Sequence, residues 1–179
     1  LDEVIHCPGW YQIGTRVAKC WRTTGHGSLS VIEGLVWSCD VVFYELGRRL
    51  EAGLLSKYAS SFGLGQMSGI DLPNEKVGLV PSESWKQEKR GEPWYPGDFI
   101  NYGIGQGFVE VTPLQMALVY SALATGYRVH PYIVEEIRGP DNHPVYSHRP
   151  TPSQPLPVSA DNLLLIRRSL REVVGRGTG

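Results

Sequence analysis

Gly25-His26-Gly27, then Ser38-Cys39-Asp40 running on into Val41-Val42-Phe43-Tyr44-Glu45-Leu46-Gly47, is the stretch of this 179-residue chain on which its reading turns. Cys39 is the last of three cysteines, after Cys7 and Cys20, and His26 lies between them; no cysteine follows in the rest of the chain. Soft metal ligands are therefore crowded against a serine and a carboxylate, and the two features share one short segment.

Cysteine thiolate and histidine nitrogen are the usual tetrahedral ligands of zinc, and a Cys3His set with no open position is typical of a structural site. Twelve residues separate Cys7 from Cys20, five separate Cys20 from His26, and twelve separate His26 from Cys39. With no Cys-x-x-Cys knuckle, the fold has to gather the ligands. The same residues admit a Cys7–Cys20 disulfide, contributing about 3 kcal/mol by the chain-entropy model and leaving Cys39 as an odd thiol. They also admit a small buried residue at Cys39 and an unrelated loop histidine. Zinc on Cys7, Cys20, His26 and Cys39 is the expectation carried forward, because it accounts for all four residues at once. Neighbouring side chains on a helix diverge by about 100°, so Cys39 can face a metal while Ser38 faces a cleft.

Outward from this segment, Ser30-Val31-Ile32-Glu33 has capping-box spacing and predicts a short helix. Ser38 or Asp40 can cap a second helix through Leu46 and Leu50, ended by Gly53, with a third from Leu54 to Phe62 stopped by Gly63. Residues 63–80 are rich in glycine and predict loop and short extended pieces, and Pro81-Ser82-Glu83 opens a polar helix to Lys89. Residues 91–107 combine glycines and prolines with Trp94, Tyr95, Phe99 and Tyr102, which predicts a loop pinned by its aromatics. Thr112-Pro113 starts a helix to Gly126. Tyr132 to Ile137 predicts a strand, turning through Gly139-Pro140-Asp141-Asn142 towards Val145-Tyr146. Residues 149–158, with Pro150, Pro152, Pro155 and Pro157, predict a linker, and Ser159 caps a last amphipathic helix. His130, His143 and His148 fall in this proline-rich region and are expected at the surface.

Composition, at 41% hydrophobic and 20% charged residues, suits one folded core, and a net charge of −1 gives no reason to expect nucleic acid or an anionic membrane as partner. No apolar run reaches the roughly 18 residues that span a bilayer, and no signal-peptide pattern is present. Gly103-Ile104-Gly105-Gln106-Gly107 lacks the lysine and the strand-to-helix context of a phosphate loop, which excludes nucleotide binding by that route.

Taken in order, Gly25-His26-Gly27, Ser38-Cys39-Asp40, Trp94-Tyr95-Pro96-Gly97-Asp98, Gly103 to Gly107 and Thr112-Pro113-Leu114-Gln115-Met116-Ala117 resemble the transpeptidase domain of class B penicillin-binding proteins of the elongation type. The series covers about residues 7 to 126. That family uses Ser-x-x-Lys, Ser-x-Asn and Lys-Thr-Gly motifs together. Here no serine has lysine three residues on, and no lysine precedes Thr-Gly or Ser-Gly.

The resemblance therefore implies an α+β, mainly helical piece of the penicillin-binding protein and serine β-lactamase fold. Residues 1–179 would form one partial domain, with Ser-x-x-Lys before it and Lys-Thr-Gly after it in a parent protein. Ser38 takes the middle-motif role, passing a proton between missing lysines and a departing amine, and Asp40 stands where asparagine is usual. As a carboxylate Asp40 only accepts, so it suits a lysine ammonium or a substrate N–H. Implied partners of the parent are peptidoglycan stem peptides, β-lactams and a glycosyltransferase. Its implied place is the outer face of the bacterial inner membrane, anchored outside this segment. A non-catalytic, zinc-supported interaction module on the same fold is the alternative function.

Overall fold

Burial alternates along Val4-Ile5-His6-Cys7, which makes β1 (Val4–Cys7) a strand with Ile5 and Cys7 turned inward. The computed structural model describes residues 3–151 and 153–179. β2 (Trp10–Ile13) and β3 (Arg16–Lys19) form an antiparallel hairpin, and β4 (Gly27–Ser30) returns to pair with β1, Cys7 lying opposite Gly27. Each strand has four residues, too few for a period of two to stand out in the sequence.

α1 (Val31–Val36) begins with the capping box read from the sequence: the Glu33 amide donates to Ser30 Oγ at 3.2 Å, and the Ser30 amide donates to Glu33 Oε2 at 2.9 Å. α2 (Asp40–Ser61) follows, and its backbone breaks at Glu51 (φ 59°, ψ 156°). Gly53, expected to end a helix, stays helical; a lone glycine costs a helix only about 1 kcal/mol. Glu51 gives no sign of the break by its type.

α3 (Glu83–Arg90) opens after its cap Ser82, as the sequence predicts, and runs one residue past the expected Lys89 before Gly91 closes it in the left-handed conformation. α4 (Pro96–Gly103) lies where the sequence predicts loop. Its glycines hid it, and Gly103 is there for close packing. A Cβ on Gly47 of α2 would sit 2.6 Å from the Phe99 carbonyl oxygen and 2.8 Å from Gly103 Cα, so the two helices meet backbone to backbone. Gly47→Ala is expected to cost about 1–3 kcal/mol in denaturant unfolding. Gly97→Ala, with nothing within 4 Å of the new methyl group, should show no packing penalty.

α5 (Pro113–Thr125) starts at Thr112 with Pro113 in its first turn. The Gln115 side chain accepts from the Thr112 amide and, fully buried, donates to the carbonyls of Gln66 and Val77, both at 2.8 Å. β5 (Tyr127–Arg128) follows, then the hairpin of β6 (Glu136–Arg138) and β7 (Pro144–Ser147), turning at Asn142 with φ 62°. β6 is shorter than expected, since residues 132–135 lie outside it. β8 (Gln154–Pro155) pairs with β5, so the expected linker contains a short strand. Pro152 of that linker lies outside the described residues. α6 (Ala160–Arg176) is capped by Ser159 and packs on α1.

Contacts group Leu1–Lys57, Pro81–Val109 and Ser159–Gly179 into one compact unit, and Tyr58–Val80 with Glu110–Val158 into a second. The first unit's core gathers Ile5, Leu29, Val41, Val42, Tyr44 and Ile100 around Cys7, Cys20 and Cys39. Among the described residues no helix is long and apolar enough to cross a membrane.

Beside this core the Tyr11 hydroxyl donates to Glu45 Oε2 at 2.5 Å, while Arg48 and Arg49 pair with Oε1 at 2.8 and 2.5 Å. Burial raises the Glu45 pKa, but hydrogen bonds from Arg48, Tyr11 and Arg49 outweigh it and hold the carboxyl at about 2. A depressed folded pKa gives stability that is present above the unfolded value near 4.5 and lost as pH falls towards 2. Both arginines are well exposed and solvent screens them, so the group contributes on the order of 2 kcal/mol. Acid unfolding curves should show that loss in this window, and Glu45→Gln should remove it.

Candidate functional site

Backbone geometry closes each gap in the ligand spacing. The twelve residues between Cys7 and Cys20 are spent on the β2–β3 hairpin, whose ends rejoin where the Cys20 amide donates to the Gly9 carbonyl at 2.9 Å. Pairing of β1 with β4 sets His26 next to Cys7. There the two loops lie backbone on backbone: a Cβ on Gly25, at φ 82°, would strike Pro8, and one on Gly9, at φ 96°, would strike Thr23. After the six-residue α1, a tight turn brings Cys39 back, its amide donating to the Gly34 carbonyl at 2.8 Å.

The four ligand atoms of Cys7, Cys20, His26 and Cys39 lie within 4.8 Å of one another, and the three cysteines are free and buried. His26 Nδ1 stands 3.6 Å from Cys7 Sγ and 3.5 Å from Cys20 Sγ. Zinc bonds of about 2.3 Å to sulfur and 2.0–2.1 Å to nitrogen, set at a tetrahedral angle, place such atoms about 3.6 Å apart. The other imidazole nitrogen is buried without a hydrogen-bond partner among the described residues, so neither ring nitrogen meets an oxygen. The donor set and its spacing fit a divalent cation.

Charge agrees with this fit. Burial, helped by the Arg22 charge, pushes His26 below its ordinary pKa, which leaves it neutral as a ligand must be. Burial pushes the Cys20 thiol up and Cys39 up to about 12. Cys7 also pays for burial, yet hydrogen bonds from His26, Gly9 and the other thiols bring it below the ordinary value. Without a cation Cys20 and Cys39 therefore keep their protons, and a metal bound by all three sulfurs would have to displace them.

Cys39 is fully buried while Ser38 is exposed. The divergence expected from a shared helix is produced differently, by a turn between α1 and α2 in which Ser38 adopts φ 49°. Neither Ser38 nor Asp40 caps α2 in the expected way: the Ser38 hydroxyl pairs with Thr178 Oγ1 at 2.5 Å, and Asp40, already helical, accepts the Trp21 amide through Oδ2 at 2.8 Å. Capping therefore does not explain either residue.

Ser38 and Asp40 line a hollow of about 290 Å³ together with Leu35, Phe43, Gly103 and Ile104. Two sequence motifs, 63 positions apart from Asp40 to Gly103, thus share one wall. The other motifs brace the fold. Asp98 takes the Tyr95 amide at 2.8 Å and pairs at 2.6 Å with Lys86, which is fully buried, and Gln115 holds backbone carbonyls as described. Sequence alone did not single out Trp21 or Thr178. Thr178 lies 140 positions from Ser38, a separation no spacing rule bridges.

Residues 1–179 match the family model of the penicillin binding protein transpeptidase domain. The chain is 40% identical over 118 residues to the peptidoglycan D,D-transpeptidase MrdA of Escherichia coli (strain K12), a match covering 65% of this chain and 19% of that protein's length. The solved complex between penicillin-binding protein PBP2 and MreC from Helicobacter pylori aligns with TM-score 0.84 and 29% identity, over 98% of this chain and 31% of that one. Pseudomonas aeruginosa PBP2 in complex with WCK 5153 aligns with TM-score 0.83 and 31% identity, over 97% and 38%. The chain thus spans about a fifth of the E. coli relative, where the match covers 19% of its length.

Proposed function

Because this chain belongs to the penicillin binding protein transpeptidase domain family, we propose that it is the central part of a single serine D,D-transpeptidase domain, which cross-links peptidoglycan stem peptides and is acylated by β-lactams. The observation that carries this reading is the hollow in which Ser38 and Asp40 meet Gly103 and Ile104.

The attacking serine belongs to a Ser-x-x-Lys motif that this sequence does not contain, so the segment alone is inactive. That serine attacks the carbonyl of the penultimate D-alanine and expels the terminal D-alanine; an amine of a neighbouring strand then resolves the acyl-enzyme. Ser38, whose hydroxyl both donates and accepts, hands a proton to the departing amine. Asp40, one oxygen already taken by the Trp21 amide, orients an ammonium or a substrate N–H at the hollow's edge.

Cys7, Cys20, His26 and Cys39 would hold zinc, and a four-ligand shell of that kind would supply a structural cross-link. These four residues would thereby join the hairpin loop to the turn that carries Ser38. The parent works at the outer face of the bacterial inner membrane with a glycosyltransferase partner, a reading supported by the likeness to a chain of a peptidoglycan synthase complex that coordinates polymerization and crosslinking.

Labelling the full-length parent with a fluorescent penicillin tests the proposal. A band that unlabelled β-lactam competes away is expected. No acylation of a folded parent would sink the enzyme reading and leave a zinc-supported interaction module.

A further inference from the structure

The Trp21 side chain touches both the thiol–imidazole cluster and the Ser38 turn. It follows Cys20 directly, and its ring meets the His26 ring edge-on, with centroids 5.2 Å apart and planes at 68°. Its backbone amide donates to Asp40 Oδ2 at 2.8 Å. Its indole N–H is shared between the carbonyls of Trp37, at 3.1 Å, and Ser38, at 2.9 Å. Those carbonyls lie just past the end of α1, where helix geometry leaves acceptors without partners. The Ser38 backbone, at φ 49°, sits in the left-handed region that a non-glycine residue enters only when its surroundings hold it there. Burial does not explain the placement of the ring, since Trp21 is 56% exposed. Its polar edge is what the fold uses.

We infer that Trp21 is a positioning residue for the transfer of the proton through Ser38: its indole N–H pins the Ser38 peptide, and its contact with His26 links that peptide to the ligand cluster. This rests on the transpeptidase reading above. Without the N–H, the carbonyls of residues 37 and 38 turn to water and the peptide leaves its strained conformation. The Ser38 hydroxyl then loses its alignment while the hollow keeps its walls.

The test uses the full-length parent with Trp21→Phe, which keeps a ring against His26 but has no N–H. A second variant carries benzothienylalanine at this position, which replaces N–H by sulfur at nearly constant shape. Time courses with a fluorescent penicillin separate binding before acylation from the acylation step. The acylation rate constant is expected to fall about tenfold in both variants, the worth of roughly one such hydrogen bond. Binding before acylation, zinc content and melting temperature should stay as in the unmodified protein, and Trp10→Phe should leave the rate unchanged. An unaltered acylation constant in both variants would overturn the inference. So would slowing that always accompanies lost zinc or a lowered melting temperature, since Trp21 would then only hold the fold. If the unmodified parent is not acylated at all, the transpeptidase reading fails first and takes this one with it.

Discussion

Cys39→Ala in the full-length parent is expected to abolish metal binding and to lower the melting temperature of the transpeptidase domain on the order of 10 °C. A metal present at a thousand times its dissociation constant stabilises the folded state by about 4 kcal/mol, and each kcal/mol moves the melting temperature of a domain of this size about 2–4 °C. The thiol itself is fully buried in the first unit's core beside Val41 and Val42, so truncation also removes packing. Chelator controls separate the two effects. The unmodified protein should fall towards the variant when stripped, and the variant should not respond. Hydrogen exchange offers a local view of the same link: residues 30–46 should exchange faster after chelation, before the whole fold melts. Equal rates with and without chelator would mean that the cluster does not brace the Ser38 turn.

Ser38→Ala is expected to slow acylation by fluorescent penicillin about 10²–10⁴-fold, the usual contribution of a positioned acid–base group. The fold should be unharmed, because Ser38 is exposed and its hydroxyl pairs with Thr178 Oγ1 at 2.5 Å. Unchanged zinc content and melting temperature would show that the loss is chemical. A variant acylated at the full rate would remove Ser38 from the mechanism and favour the reading in which this fold supports binding alone.

Local signals made much of the helical structure legible. Ser30 with Glu33, Ser82, Thr112 with Gln115, and Ser159 each cap a helix where the sequence places one. Capping chemistry lies within four residues, so one sequence states it fully. The four strands around the cysteines were not legible, since four-residue strands owe their existence to partners elsewhere in the chain. α4 was misread for a related reason: Gly97 and Gly103 lower helix propensity, and the benefit at Gly103 appears only when Gly47 of α2 is in view.

At the candidate site, the ligand set Cys7, Cys20, His26 and Cys39 followed from chemistry and clustering, and its convergence needed the β2–β3 hairpin and the β1–β4 pairing. The opposed directions of Ser38 and Cys39 were foreseen for a reason that did not hold, since a left-handed turn and not a helix separates them. Trp21 carried no signal because it acts through an N–H placed by tertiary structure.

Metal analysis of the full-length parent purified without chelator, with mass-spectrometric mapping of the thiols at Cys7, Cys20 and Cys39, tests the four-ligand centre most directly. One zinc per chain is expected, with all three thiols resisting alkylation until a chelator is added. A Cys7–Cys20 disulfide and no bound metal would contradict it.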